Sequence, residues 1–106
     1  MSLPQMDALI FISQNPGKQM KDVAAYMEIS LAAATPLINR LIKAKHLKRI
    51  YNPDDRRVIK LEITESGIKK LETESIEMRK RMGELFGKLT QDELKEYIRL
   101  HQKILA

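Results

Sequence analysis

Residues 54–67, DDRRVIKLEITESG, decide the fold of this chain. Two acids and two arginines form a charged turn at residues 54–57, and apolar residues alternate with polar ones over residues 58–63. This pattern predicts a strand with one buried face, followed by a helix that starts at Thr64–Gly67. An arginine on such a protruding ribbon can enter the minor groove of DNA. The alternative is a solvated hairpin turn that is merely basic.

The segment before this ribbon has the pattern of three helices. Apolar spacing predicts a first helix over about residues 4–14, which an Asn-Pro-Gly sequence at 15–17 ends. A short second helix is predicted over about residues 20–27. A three-residue turn, 28–30, separates it from a third helix, for which Ser30 is a good N-cap. Two short helices joined by such a turn are typical of a helix-turn-helix.

A β-hairpin directly follows the third helix. Residues 46–51 predict a short strand, residues 52–55 have turn chemistry, and residues 58–63 form the returning strand. A helix-turn-helix followed by a hairpin is a winged helix. The predicted fold class is therefore mainly α with a small β-wing: a winged helix-turn-helix DNA-binding domain plus C-terminal dimerisation helices.

The last third of the chain predicts two further helices, over about residues 66–86 and from a capping box at Thr90 to about residue 105. Their apolar residues recur at three- and four-residue spacing, which is typical of a coiled-coil-like packing surface. We expect a homodimer interface here, with packing against its own domain as the alternative. The expected interface residues are Ile68, Leu71, Met78, Met82, Leu85, Leu94, Ile98 and Leu105.

These assignments divide the chain by role. Residues 1–65 would form the winged helix-turn-helix DNA-binding region, and residues 66–106 the helical dimerisation region, within one compact domain overall. A chain of 106 residues with 43% hydrophobic content is long enough for one modest core.

The positive charge of the chain is concentrated in one window. The net charge is +5, and between Arg40 and Lys60 eight basic side chains stand against two acids. The rest of the chain therefore carries a slight negative excess. A local concentration of this kind is typical of a surface that binds a polyanion, and double-stranded DNA is the expected partner. The alternative is a winged-helix protein–protein interaction module without specific DNA binding.

Several other classes of protein are disfavoured. The chain has no cysteine, and its longest apolar run, residues 8–12, is too short to span a membrane. We therefore expect a cytoplasmic protein without a membrane partner. The histidines His46 and His101 lie far apart, and the acids at 54–55 adjoin arginines, which should keep both ionised. We expect no enzyme activity, no catalytic residue, no metal site and no cofactor.

The sequence resembles the multiple antibiotic resistance regulator (MarR) family of bacterial transcription factors. Three runs carry the resemblance, in the order and spacing of the family: residues 16–30, PGKQMKDVAAYMEIS; residues 35–50, TPLINRLIKAKHLKRI; and residues 54–67. The resemblance implies homodimers that bind pseudo-palindromic operators, usually as repressors. It also implies release by a small, often aromatic, effector ligand in a crevice between the dimerisation and DNA-binding parts.

The resemblance also implies individual DNA-binding residues. The third helix matches the recognition helix, and Arg57 matches the wing arginine that enters the minor groove, with Asp55 as its brace and Arg56 near phosphate. Close packing at the helix crossing is the alternative role for two alanines, Ala32 and Ala33. The residues expected to face or flank the major groove are Ser30, Ala32, Ala33, Thr35, Pro36, Asn39 and Arg40.

Three features depart from the family pattern. Family members usually begin with an additional dimerisation helix, and this sequence starts just after it, either because the protein is naturally short or because a piece is missing. Pro36 falls inside the recognition helix, where we expect a local bend, or alternatively a helix that restarts with Thr35 as its cap. His46 stands where the family usually has glycine, and we expect it to adopt the left-handed conformation of that turn.

Overall fold

The computed structural model describes all 106 residues, Met1–Ala106. The elements in chain order are α1 (Leu3–Gln14), α2 (Met20–Met27), α3 (Leu31–Lys43), β1 (Leu47–Tyr51), β2 (Ile59–Ile63), α4 (Glu65–Phe86) and α5 (Gln91–Leu105). The predicted mainly α architecture with a small β-wing is confirmed, because five helices and one antiparallel hairpin appear in the order of a winged helix. No helix combines the length and the apolar character needed to cross a membrane.

The chain forms two compact units, Met1–Glu74 and Ser75–Ala106. The first unit contains α1, α2, α3, the hairpin and the start of α4, and one apolar core unites these elements. Each of the three helices and both strands contribute to this core. The core residues are Ala8, Leu9, Ile12, Val23, Ile38, Leu41, Leu47 and Leu61.

One face of the β-hairpin packs against this core. β1 and β2 pair antiparallel, with Leu47 opposite Ile63. Leu47 and Leu61 are buried, whereas Lys60 is exposed, so the predicted alternation of buried and wet positions is confirmed. The main-chain N–H of Leu61 also donates to the carbonyl of Lys18 over 2.8 Å, which ties the segment before α2 to the inner edge of the wing.

Two turns next to α3 adopt left-handed backbone conformations without glycine. Glu28, in the turn of the helix-turn-helix, has φ 56°, and Lys45, after α3, has φ 65°. The expectation that His46 takes the left-handed conformation is therefore wrong, because Lys45 does. At the end of α3 the N–H of Lys45 donates to the carbonyl of Ile42, and the N–H of His46 donates to the carbonyl of Leu41. The left-handed residue therefore lies one position earlier than expected.

The third helix, α3, is a single element. Ser30 caps it, since its hydroxyl accepts a hydrogen bond from the N–H of Ala33 at 3.1 Å. The helix continues through Pro36. A restart at Thr35 is excluded, because the Thr35 hydroxyl donates backwards to the carbonyl of Leu31 at 2.8 Å. Such a bond satisfies the hydroxyl within the helix and leaves Ser30 as the cap.

Thr64 joins the end of the wing to the turn after α3. Its N–H donates to the carbonyl of His46 at 3.0 Å, and its hydroxyl donates to the carbonyl of Lys45. The same hydroxyl accepts from the N–H of Gly67 at 3.0 Å, as an N-cap does. One threonine therefore ends the wing and starts α4.

The second unit consists of the rest of α4 and α5. Thr90 and Glu93 form a capping box at the start of α5, as predicted, with bonds of 2.9 and 3.2 Å. Phe86 and Tyr97 pack edge to face, with ring centroids 5.1 Å apart. None of residues 75–106 is buried. This unit therefore has no core of its own.

Candidate nucleic-acid interface

The start of α3 presents its side chains to solvent. The predicted recognition residues that lie exposed are Ser30, Ala32, Ala33, Pro36, Asn39 and Arg40. Thr35 is half-buried, and its hydroxyl contacts the sulfur of Met20 at 3.2 Å at the crossing with α2. The alanine that α3 buries is Ala34. Close packing at the helix crossing therefore does not explain Ala32 and Ala33, whose methyl groups are free to contact a ligand.

The wing tip is organised around Asp55 and Arg57. The carboxylate of Asp55 accepts the N–H of Arg57 at 3.0 Å, its Nε at 3.1 Å and a terminal guanidinium nitrogen at 3.3 Å. The Arg57 side chain nevertheless remains 91% exposed. Arg56 beside it is also exposed. The tip thus holds an arginine in a defined direction while keeping its charge in solvent.

The electrostatics of the tip follow from these contacts. The Arg57 side chain, and then its main-chain N–H, hold the pKa of the Asp55 carboxyl below its ordinary value. Asp55 therefore stays ionised at neutral pH. Two further bonds close the turn: the N–H of Asp54 donates to the side chain of Asn52 at 2.9 Å, and that of Val58 to the carbonyl of Asp55 at 3.1 Å.

Most of the basic residues between Arg40 and Lys60 have no acidic partner. In this window the sole ion pair joins Arg57 to Asp55. The exposed basic residues are Arg40, Lys43, Lys45, Lys48, Arg56, Arg57 and Lys60. Unpaired cations on the third helix and the wing produce a positive field on this unit, which attracts polyanions.

Arg49 contributes to this surface in a way that local sequence patterns do not predict. It lies half-buried in β1, and a terminal guanidinium nitrogen donates to the side-chain oxygen of Asn39 in α3. The sequence shows that Arg49 is basic. It does not show that Arg49 forms a hydrogen bond with Asn39, because these residues lie ten positions apart in a strand and a helix. The contact connects α3 to β1, the first strand of the wing.

The histidines and acids of the chain are the side chains from which a metal site would be built. No group of three or more His, Cys, Asp or Glu side chains is placed to hold a metal ion. The ring of His46 instead contacts the hydroxyl of Ser66, with 3.2 Å between Nδ1 and Oγ. This contact lies at the junction of the wing and α4.

Comparisons with known proteins agree with this architecture. A model of the MarR family matches residues 1–58, which is more than half of the chain. The HTH-type transcriptional regulator YfiV of Bacillus subtilis (strain 168) is 35% identical over 69 residues, 65% of this chain. That match spans 43% of the length of YfiV.

Solved structures show the same fold. The YusO protein from Bacillus subtilis superposes with a TM-score of 0.86 at 25% identity, over 99% of this chain and 74% of that one. The PcaV transcriptional regulator from Streptomyces coelicolor, in complex with its natural ligand, has a TM-score of 0.73 at 18% identity, over 99% and 74% of the two chains. Together with the family match, these findings show that the chain belongs to the MarR family of winged-helix transcriptional regulators.

Proposed function

We propose that this chain is a sequence-specific double-stranded DNA-binding regulator that acts as a homodimeric repressor on a pseudo-palindromic operator. One observation carries the proposal: the first unit presents the exposed start of α3 and the 91% exposed Arg57 on a wing held to the same core. A helix at the major groove and an arginine at the minor groove are the two contacts that a winged helix needs. Unpaired basic residues around them would contact phosphates and fix the register.

The proposed roles of the individual residues follow from their chemistry. Ala32 and Ala33 would contact thymine methyl groups, and Arg40 a guanine edge or a phosphate. Arg57 would enter the minor groove, with Asp55 as its brace and Arg56 on phosphate. The remaining proposed contacts are Ser30, Thr35, Pro36 and Asn39. In this scheme residues 1–65 bind DNA and residues 66–106 dimerise.

The homodimer is proposed from the second unit. Large apolar side chains are exposed there, including Met82 at 48%, Leu85 at 53% and Leu105 at 72%. Because this unit buries nothing by itself, a second copy of α4 and α5 would supply the missing core. In the same unit we also propose Met78, Leu94 and Ile98, and at the start of α4, within the first unit, Ile68 and Leu71. Leu71 also packs against the core of the first unit, so its contribution would be smaller.

An effector site is proposed in the first unit. A cleft of about 390 Å³ lies between α1, the wing and the start of α4, with a mostly apolar lining that includes Ile12, Ile50 and Ile68. Its volume suits a small aromatic ligand, and Lys60 at its edge would attract an anionic group. PcaV was solved with its natural ligand, and that structural relative supports the idea of ligand response here.

Selection of binding sites from a pool of randomised DNA duplexes tests the proposed function. A homodimer should enrich a two-fold symmetric sequence with half-sites about one DNA turn, roughly 34 Å, apart. Enrichment of a single half-site would refute the dimeric part of the proposal. The absence of any enriched sequence would favour a winged helix that binds protein.

A further inference from the structure

Arg49 and Asn39 form a hydrogen bond between the wing and the recognition helix. A guanidinium group carries only N–H donors, so the Asn39 atom that faces Arg49 must be the amide oxygen. Asn39 is exposed, whereas Arg49 is half-buried in β1. Arg49 forms no ion pair with an acid. A half-buried arginine therefore directs an exposed polar side chain of α3.

We propose that Arg49 is a positioning residue for DNA recognition, which holds the oxygen of Asn39 so that the amide nitrogen is presented to DNA. The inference rests on the DNA-binding function proposed above and deepens it. An asparagine that recognises adenine uses both atoms, since its oxygen accepts from adenine N6 while its nitrogen donates to N7. Arg49 occupies one of the two lone pairs of the Asn39 oxygen, so it fixes the plane of the amide group and directs the N–H donor of Asn39 to an acceptor on the DNA.

The alternative role for Arg49 is a direct contact with a phosphate group. That role would act through charge alone, would be independent of Asn39, and would contribute to the salt dependence of binding. The positioning role predicts instead that the effect of Arg49 depends on Asn39 and that Arg49 does not contribute to the salt dependence of binding. The two roles are therefore separable by a double-mutant cycle measured at several salt concentrations.

The cycle uses Arg49→Met, Asn39→Ala and the double variant, on the palindrome selected by the wild-type protein. Each single variant should weaken binding about twofold to tenfold per half-site, as expected for one hydrogen bond, and the double variant should bind no more weakly than either. The salt slope of Arg49→Met should equal that of the wild type. Additive losses, or a slope reduced by about one per half-site, would show a direct phosphate contact and overturn the inference.

Lys48→Met is the matched control. Lys48 precedes Arg49 in β1, is exposed, and has no hydrogen bond to Asn39. Its substitution removes the same charge from the same strand. Any effect that it has on binding should therefore add to that of Asn39→Ala, and non-additivity here would mean that the cycle does not report the Arg49–Asn39 contact.

The variant Asn39→Asp distinguishes loss of the N–H donor of residue 39 from loss of protein stability. A carboxylate keeps and strengthens the contact with Arg49, so thermal stability should be retained, but the N–H donor is lost. This variant should bind at least as weakly as Asn39→Ala, and wild-type affinity would refute the donor role. A wild-type protein without any preferred duplex would refute the proposed function itself.

Discussion

Gly67 lies directly against the main-chain carbonyl of His46, so that a Cβ atom on residue 67 would overlap the carbonyl oxygen. The neighbouring hydrogen bonds of Thr64 to Lys45 and to Gly67 fix the same junction. The first turn of α4 is therefore held on the turn that ends α3. The Thr-x-x-Gly sequence at the end of the wing has a physical reason: a hydroxyl that caps α4, and a glycine that lets two backbones meet.

Gly67→Ala should destabilise the protein by about 1–3 kcal/mol, because the added methyl group meets backbone rather than a flexible side chain. Urea unfolding would measure the change. Gly83→Ala, in the same helix, is the control: nothing lies within 4 Å of the added Cβ, and alanine favours a helix interior by about 0.5–1 kcal/mol. Equal effects of the two substitutions would contradict the backbone contact at Gly67.

Arg57→Ala should weaken binding to the selected operator by about 1–3 kcal/mol, since its exposed guanidinium is proposed to enter the minor groove. The stability of the variant protein should be nearly that of the wild type, because the Arg57 side chain is 91% exposed. Fluorescence anisotropy with labelled duplex would measure the affinity. Arg79→Ala removes an exposed arginine of α4 and should leave affinity unchanged. An Arg57→Ala protein that binds like the wild type would show that the wing is a solvated hairpin.

The carboxyl of Asp55 should titrate below its ordinary pKa of 3.8, because Arg57 hydrogen-bonds its ionised form. A lowered pKa means that the interaction is fully present above pH 3.8 and is lost as the pH falls through the lower folded-state value. The tip should therefore be unchanged between pH 5 and 8. Carbon-13 NMR of the carboxyl would follow the titration. In Arg57→Ala the pKa should move up towards 3.8, and an unmoved value would contradict the bracing contact.

Met82→Lys or Leu85→Lys should dissociate the homodimer, because each would place an unpaired charge in the proposed apolar interface. Both side chains are exposed in the single chain, so folding of the protomer should survive. Sedimentation velocity would measure the mass. Glu84→Lys is the control: the residue lies off the apolar stripe and is exposed, and this variant should remain dimeric. A wild-type chain that stays monomeric at high micromolar concentration would refute the interface.

Local chemistry explains why the sequence predicted most of the fold. Ser30 and Thr90 are helix caps whose partners lie three residues away, so the helix starts they predict match the structure. The resemblance predicts the left-handed residue at His46, whereas the structure has it at Lys45. The glycine usual in the family does not indicate where the last hydrogen bond of α3 falls. The hydroxyl of Thr35 excludes a helix restart at Pro36, because it bonds to the carbonyl of Leu31, and the sequence alone does not show which partner that hydroxyl takes.

The candidate site was predictable to a smaller extent. Asp55 and Arg57 are two residues apart, so the sequence could suggest that one braces the other, and the structure contains that contact. The contact of Arg49 with Asn39 depends on how β1 lies beside α3, which tertiary packing decides. The DNA-binding roles of these residues remain predictions.

The salt dependence of affinity for the selected palindrome tests the central claim, specific DNA binding by a basic winged helix, most directly. If the unpaired basic residues contact phosphates in both protomers, with about six to ten contacts in total, affinity should fall about 10³- to 10⁵-fold between 50 and 200 mM salt. At each concentration a scrambled duplex of the same length should bind far more weakly. Affinity that does not change with salt, or equal binding of the palindrome and the scrambled duplex, would contradict the claim.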